Sequence, residues 1–399
     1  MRVLRVRDPF HRGQLAIAAL FCSLGFQYAT WASRIPAIKS DLDLSAAEVG
    51  VLLMAAGIGA AVSFPVVAVL MRRLGSQRLA LLSALCLALL LLALAAAPNY
   101  PVALLVMCVD GVLVGCLNVA MNAQGAALES RYERNAMARL HATFSGGSLL
   151  AALLASGMNA VTSTVAVHFA AAALLLLLLV AYARTGLLPE HEPAAEEAEA
   201  ADVTAGQGAK PAKKRNWVLP SSMTLWMCVA MAFGTVTEGA MNDWSALYLK
   251  DVADASAELA PLGIAVVSGM MVVARLFADG WRSRWGDGRI VLVGSVLAGA
   301  GLALALLSGG LVPALLGFAC VGLGIAAVTP CVYVAAAGQG SDSLTLVAAM
   351  GTTGLLAGPP LIGFIAHASS LVWGLAAVAA SALVVSACST RIRWPATSG

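Results

Sequence analysis

The chain has 399 residues, of which 60% are hydrophobic and 11% are charged, and its formal net charge is +3. A soluble domain carries about 25% charged residues, so this composition excludes a water-soluble globule, which would have to expose large apolar areas. The positive excess is too small to indicate nucleic-acid binding, and the placement of the basic residues bears on membrane topology instead.

Apolar segments follow one another along the whole chain, and about twelve of them are long enough to span a bilayer. Spanning takes about 20 residues at the helical rise, and a helix satisfies its own backbone N–H and C=O groups in lipid. The sequence therefore predicts an all-α integral membrane protein with twelve transmembrane helices in two pseudo-symmetric six-helix bundles. In chain order, the predicted spans lie near 14–36, 46–70, 79–97, 101–127, 139–161, 163–184, 221–249, 261–281, 289–308, 311–337, 342–366 and 368–389.

Two short basic turns carry the same pattern roughly 210 residues apart. Each places one arginine two residues before a glycine and another arginine three residues after it, at Gly75 and at Gly286. A weaker repeat is the similarity between the sequences of residues 123–125 and 337–340. Because each turn also joins two long apolar segments, the repeat predicts two homologous membrane halves.

A polar stretch between the sixth and seventh spans divides the chain. Residues 186–220 begin acidic, end basic and contain almost no large apolar residue, which predicts a flexible linker. The predicted domains are therefore 1–185 and 221–399, on either side of that linker. Of the 24 Lys and Arg residues, 20 fall on one side of the predicted topology. Both termini are therefore predicted to be cytoplasmic.

This plan of six plus six spans, with a central linker and a basic turn after spans two and eight, resembles the major facilitator superfamily. The loop motif of that family is Gly-x-x-x-Asp-Arg-x-Gly-Arg-Arg. Arg73 and Gly75 match it in the first half, and Arg284 and Gly286 match it in the second. The motif aspartate is missing from both turns, although Asp279 lies close enough to the second turn to serve as a substitute partner.

Three further stretches, residues 31–36, 118–124 and 238–245, resemble a narrower group of bacterial permeases. That group is distantly similar to fucose–proton symporters and to a permease of rhizopine gene clusters. The resemblance implies a multi-pass protein of the bacterial cytoplasmic (inner) membrane that moves a small polar organic solute. Alternating access around a central cavity between the two halves is the expected mechanism.

The seventh span carries the best candidates for proton coupling. Thr235, Glu238, Asn242 and Ser245 recur at helical spacing and share one face, which we expect to meet an aqueous cavity rather than lipid. An ionisable residue at the centre of a span costs about 2.5–3.5 kcal/mol. Glu238 is therefore predicted to carry the proton, with a structural hydrogen bond as the alternative. Asp243, nearer the outer end, is a weaker candidate.

The fourth span offers three candidate site residues. Asp110 is a second candidate for proton coupling. Asn118 and Asn122 share a face, where their amides could bind the hydroxyl groups of a solute or could hydrogen-bond to another helix. Both interpretations remain open.

The first span contributes four residues at helical spacing, Gln27, Tyr28, Trp31 and Arg34. Trp31 could stack on a substrate or anchor the helix at the membrane interface. Arg34 could hold an anionic group or pair with an aspartate of another span. The residues predicted to line the substrate cavity are Gln27, Tyr28, Trp31, Arg34, Asn118, Asn122, Thr235 and Asn242.

A cytoplasmic gate is predicted from the two basic turns and the charged residues near them. Arg275 and Asp279 are one helical turn apart and are expected to form an ion pair, and His141 lies near the cytoplasmic end of the fifth span. The predicted gate residues are Arg73, Gly75, His141, Arg275, Asp279, Arg284 and Gly286.

The sequence contains no phosphate-binding loop, no nucleophile–base set and no clustered metal ligands, and its eight cysteines are scattered through apolar segments. We therefore predict no enzymatic activity, no cofactor and no metal. The expected partners are a small-molecule substrate, protons and the lipid bilayer, and the expected state is a monomer. An exporter of drugs or metabolites with the same fold remains an alternative. A non-transporting receptor is disfavoured by the short linker, and a channel is disfavoured by the repeat of two halves.

Overall fold

Long helices dominate the structure, a computed structural model that describes residues 8–134, 136–189 and 220–394, without the side chains of residues 138, 279 and 341. Most of the predicted linker 186–220 lies outside these residues, as do Arg2, Arg5 and Arg7 of the N-terminal tail. Thirteen helices are present in the described parts of the chain. They are α1 (Pro9–Ala32), α2 (Ile35–Asp41), α3 (Ala46–Ala95), α4 (Tyr100–Tyr132), α5 (Met137–Val161), α6 (Val165–Ala183), α7 (Ser222–Asp251), α8 (Leu262–Trp285), α9 (Asp287–Ser308), α10 (Leu311–Ile325), α11 (Val328–Ala337), α12 (Ser341–Ala368) and α13 (Leu371–Ser389).

These helices supply the twelve predicted spans. α3 contains the second and third spans in one element that bends at Gly75, and α10 and α11 together form the tenth. By length and composition, nine helical stretches of the described chain are apolar enough to cross a membrane, and one of them is the 50-residue α3. α7 is of spanning length but less apolar, because it carries several polar side chains. The prediction of an all-helical protein with twelve spans is confirmed.

Prolines explain two differences from the predicted spans. α1 ends at Ala32 rather than near residue 36, because the ring of Pro36 clashes with the carbonyl of Ala32 in a continuous helix. In the tenth span, Pro330 lies in the first turn of α11, and the same conflict with the carbonyl of Ala326 separates α11 from α10. Each proline therefore divides one predicted span into two helices.

The chain forms two compact units. The first contains α1–α6 together with residues 255–269, which include the first turns of α8. The second contains α7, the rest of α8 and α9–α13. In the first unit, α1 packs against α3, α4, α5 and α6, and in the second unit α7 packs against α10, α11, α12 and α13. Each unit is thus built around its own first spanning helix.

The core of the first unit is apolar and closely packed. Leu20, Leu87 and Leu117, from three different helices, are almost completely buried in it. Where α3 crosses α4, a Cβ atom on Gly59 or on Gly111 would overlap a backbone carbonyl of the opposite helix. Small residues at this crossing let the two backbones touch, as is common between membrane helices.

The two basic turns share one backbone conformation. Gly75 has φ 73° and ψ 171°, and Gly286 has φ 79° and ψ 152°. This region is essentially restricted to glycine, so each turn needs the glycine that the sequence repeats. The weaker repeat has no such counterpart, because Gly125 lies inside α4 whereas Gly340, with φ 105°, precedes α12.

An exposed polar cluster fixes the start of α1. Asp8 accepts a hydrogen bond from the backbone N–H of Phe10 at 3.0 Å, and its second oxygen accepts one from Arg134 at 2.9 Å and contacts His11 Nδ1 at 2.7 Å. The guanidinium of Arg134 also lies 4.0 Å from the centre of the Phe10 ring. Hydrogen bonds from Arg134 and His11 lower the pKa of the Asp8 carboxyl below its ordinary value.

Candidate functional site

An ion pair in the second unit joins the middle of α7 to the middle of α8. Arg275 Nη2, on α8, donates to Glu238 Oε1, on α7, at 3.3 Å, and each side chain is about a quarter exposed. Glu238 is the residue that the sequence predicts for proton coupling. The predicted partner of Arg275 was Asp279, whose side chain lies outside the described residues, so that pair stays a prediction. The contact with Glu238 is a finding that the sequence did not predict.

The predicted polar face of α7 divides into a buried part and a partly exposed part. Thr235 is buried, and its hydroxyl donates to the backbone oxygen of Gly351 on α12 at 3.0 Å, so it joins two helices. Asp243 and Ser245 are also buried. Asn242 is partly exposed like Glu238, to whose backbone oxygen its amide donates at 3.0 Å. The face that could meet a solute is therefore shorter than the sequence predicted.

On α4, Asn118 and Asn122 form a pair within their own helix. Asn122 Nδ2 donates to both the backbone oxygen and the side-chain oxygen of Asn118, at 2.7 Å in each case. Asn118 is exposed and Asn122 is partly exposed. Lipid cannot satisfy the remaining polar groups of these amides, so this part of α4 suits contact with water or with a polar solute.

Two residues that the sequence assigned to different roles lie against each other in the first unit. Gln27 Nε2, on α1, donates to Asp110 Oδ1, on α4, at 2.7 Å, and both side chains are buried. The Gln27 side-chain oxygen has no hydrogen-bond partner among the residues that the structure describes. The predicted substrate-lining glutamine and the second proton-coupling candidate therefore form one buried pair.

The aromatic residues of α1 pack together. The rings of Tyr28 and Trp31 meet edge to face with their centres 5.0 Å apart. Trp31 is only 4% exposed. An interfacial anchor contacts lipid headgroups, so the burial of Trp31 favours a role inside the unit.

Arg34 contacts a residue that the sequence analysis did not select. Arg34 Nε donates to Nδ1 of His168, on α6, at 3.0 Å, and Arg34 Nη1 reaches the backbone oxygen of Ser163 at 3.4 Å. Both side chains of the pair are buried. The signal that could have selected His168 is its position as the one histidine of an otherwise apolar sixth span.

The second basic turn contains a bidentate ion pair. Arg282 Nε and Nη2 donate to the two carboxylate oxygens of Asp287 at 2.8 and 3.1 Å. The predicted gate residue Arg284 is exposed, and its guanidinium lies 6.0 Å from the centre of the Trp285 ring. The carboxylate that follows the repeated glycine therefore forms an ion pair within this turn. The expected role of Asp279 here stays a prediction, because its side chain lies outside the described residues.

The first basic turn is held by a neutral side chain instead. Gln124, buried at the end of α4, donates from Nε2 to Ser76 Oγ at 2.8 Å and to the backbone oxygen of Leu188 at 3.2 Å, and its Oε1 accepts from the backbone N–H of Leu188 at 2.9 Å. Arg73, predicted as a gate residue here, is exposed. Among the other gate candidates, His141 packs edge to face against Phe21 of α1, with the ring centres 4.9 Å apart.

Comparisons with known proteins agree with this architecture. The sequence profile described as Major Facilitator Superfamily matches residues 15–343. The chain is 31% identical over 360 residues to the uncharacterized transporter y4wD of Sinorhizobium fredii, covering 89% of this chain and 91% of that protein. It is 30% identical over 378 residues to the membrane protein MosC of Rhizobium meliloti, covering 94% and 88%.

The fold is also found among solved structures. The crystal structure of the nucleoside transporter NupG superimposes on the chain with a TM-score of 0.68 at 14% sequence identity, covering 96% of this chain and 98% of that one. A likeness at this level of identity concerns the fold alone.

Proposed function

The chain belongs to the Major Facilitator Superfamily, and we propose that it is a proton-coupled secondary transporter of a small polar organic solute in the cytoplasmic membrane of a bacterium. Relatives that are named as transporters support the general activity. The observation that carries the proposal about protons is the ion pair between Glu238 and Arg275.

This pair has the properties that proton coupling requires. In the low dielectric of a spanning helix, a carboxylate and a guanidinium compensate each other, and neutralising one leaves the other uncompensated. A proton that binds to Glu238 removes its charge and weakens the charge-assisted hydrogen bond from Arg275. Because that bond joins α7 to α8, the arrival of a proton would favour a different arrangement of the two helices.

The solute is proposed to be polar and to carry at most one charge, as a sugar-like metabolite does. Asn118, Asn122 and Asn242 are at least partly exposed amides in spanning helices. An amide both donates and accepts hydrogen bonds, which suits hydroxyl groups. We assign these three residues, rather than the buried Thr235, to solute contact.

The orientation and the oligomeric state follow from simpler arguments. Exposed arginines occur in both basic turns, at Arg72, Arg73 and Arg284. Basic residues favour the cytoplasmic side, so we propose that these turns and both termini face the cytoplasm. A monomer is proposed because one chain supplies both units.

The test begins with a thermal-shift screen of sugars, cyclitols and nucleosides on the purified chain. A radiolabelled hit is then followed into proteoliposomes with and without an imposed proton gradient. We expect Glu238→Gln to abolish gradient-driven accumulation and to keep the exchange of labelled for unlabelled solute, because glutamine resembles the protonated carboxyl. Glu133→Gln, at an exposed position that caps the end of α4, is the matched control.

Two results would contradict this proposal. Unchanged accumulation in Glu238→Gln would remove Glu238 from coupling, and Asp110→Asn and Asp243→Asn would then be compared in the same assay. Wild-type uptake that does not respond to the proton gradient would refute proton coupling itself while leaving transport in place.

A further inference from the structure

A positive charge is buried in the first unit where α1 passes into α2. Arg34 is 3% exposed, and its partner His168 is completely buried. Among the described residues, no carboxylate lies within ion-pair distance of the Arg34 guanidinium. Asp41, on α2, acts on it through space without a hydrogen bond. The charge of Arg34 is therefore only partly compensated within this unit.

The hydrogen bond between Arg34 and His168 also determines the tautomer of the imidazole ring. His168 Nδ1 accepts a hydrogen bond from Arg34 Nε, so the neutral ring carries its proton on Nε2. Nε2 is thus a donor, as is Arg34 Nη2, and neither has an acceptor in the part of the chain that the structure describes. Close by in the sequence, Trp31 Nε1 and Ser33 Oγ are also buried without a hydrogen-bond partner there.

This set of groups has a definite chemical preference. Arg34 Nη2 and His168 Nε2 belong to two side chains in direct contact, and a buried donor without an acceptor is costly. A neutral polyol could accept some of the hydrogen bonds but would leave the charge of Arg34 uncompensated, and a cation would be repelled. A carboxylate supplies both the opposite charge and two acceptor oxygens, and a hydrogen bond to it from Arg34 Nη2 would be charge-assisted.

We propose that Arg34 and His168 bind the carboxylate group of a small organic acid, with Arg34 supplying the charge and His168 Nε2 a further donor. The inference rests on the proposed function and narrows its solute from a polar metabolite to a polar acid. Burial of both side chains fits a transporter, because alternating access closes the binding site to each side of the membrane in turn.

The test is a thermal-unfolding series on the purified, detergent-solubilised chain at constant pH and osmolarity. The probes are sodium glucuronate and sodium acetate, with sodium chloride and glucose for comparison. Glucuronate and glucose differ mainly in one carboxylate, so we expect glucuronate to raise the melting temperature progressively with concentration and glucose to leave it unchanged. Acetate should act as glucuronate does, but more weakly.

Two outcomes of this series would overturn the proposal. Equal stabilisation by all three salts would assign the site to any small anion and remove the carboxylate from the description of the solute. No difference between glucuronate and glucose would remove the anion site. Both outcomes are read from the wild-type chain, so neither depends on whether a variant folds.

Variants then test whether stabilisation by glucuronate depends on Arg34 and His168. Arg34→Gln should abolish stabilisation by glucuronate, and Arg131→Gln, which removes an exposed arginine at the end of α4, should keep it. His168→Gln should retain most of the effect, because glutamine can accept from Arg34 and donate to the ligand, whereas His168→Leu should weaken it. If Arg34→Gln lowers the basal melting temperature but responds to glucuronate as wild type does, the hydrogen bond between Arg34 and His168 has a structural role and the proposal is wrong.

The measurement needs neither a membrane nor a gradient. Its failure would therefore leave the test of Glu238 untouched, and loss of proton coupling in proteoliposomes would leave the carboxylate site standing.

Discussion

Replacing Gly75 by alanine tests the backbone conformation that the two basic turns share. A non-glycine residue in this region of φ and ψ costs about 1–3 kcal/mol. At an ordinary helical position, the same exchange gains about 0.5–1 kcal/mol. Gly146, on α5, is such a position, since a Cβ atom there meets no other atom within 4 Å. Gly75→Ala and Gly146→Ala should therefore differ by about 1.5–4 kcal/mol.

The second unit offers the same comparison. Gly286 has the conformation of Gly75, and Gly280, on α8, has open space around its Cβ position. Gly286→Ala should be destabilised relative to Gly280→Ala by a similar amount. Since the two pairs lie in different parts of the sequence, agreement between them would exclude a local accident of packing.

A thiol-reactive dye can follow unfolding in all four variants. The eight cysteines of the chain are free, and Cys116, Cys228, Cys331 and Cys388 are buried, so unfolding exposes new thiols. For a unit of 150–250 residues, 1 kcal/mol moves the melting temperature by about 2–4 °C. The turn variants should thus melt several degrees below their partners at one fixed heating rate. Equal melting temperatures within either pair would refute the positive φ at that turn.

Two further perturbations probe contacts at helix ends. Gln124→Leu removes three hydrogen bonds to Ser76 and Leu188 and should lower the melting temperature by the equivalent of about 1–3 kcal/mol, whereas Gln339→Leu, at an exposed position, should change little. The lowered pKa of Asp8 means that its carboxylate stabilises the folded protein above the ordinary pKa of 3.8, and that this contribution is lost as the pH falls through the lower folded value. Asparagine can still cap α1, so the difference in melting temperature between wild type and Asp8→Asn should be constant near neutral pH and disappear in acid; a difference that grows on acidification would contradict this reasoning.

The architecture could be predicted because it depends on local features of the sequence. Spanning helices need long apolar segments, and the repeated glycines need a backbone region that other residues avoid. Where the prediction failed, the reason was also local: Pro36 and Pro330 interrupt apolar segments that hydrophobicity alone joins. The short sequence repeat at Gly125 and Gly340 does not correspond to a structural repeat, since the two glycines have different backbone conformations.

The contacts of the site could not be predicted in the same way. Residue type and helical spacing identified Glu238 and Arg34 as unusual, but the partner of each comes from another helix, Arg275 in one case and His168 in the other. Periodicity shows which face of a helix is polar and does not show which helix packs against that face. Thr235 is an example, because it shares the predicted polar face and yet its hydroxyl lies within hydrogen-bond distance of backbone oxygens of α7 and α12.

The charges of Arg34 and Arg275 are compensated differently in the two units, and this difference has a consequence for transport. Arg275 has a carboxylate partner in its own unit, whereas the hydrogen bonds of Arg34 to described residues go to the neutral His168 and to a backbone oxygen, and Asp41 acts on it without a hydrogen bond. A proton on Glu238 adds one positive charge inside the protein, and a carboxylate at Arg34 adds one negative charge. Loading both together leaves the buried charge unchanged, which avoids the cost of an extra charge in the membrane. If both proposals hold, uptake of a monovalent acid with one proton is electroneutral. Accumulation should then follow the pH gradient and should not respond to a membrane potential set with valinomycin and potassium. A response to that potential at constant pH would show that the two charges do not travel together.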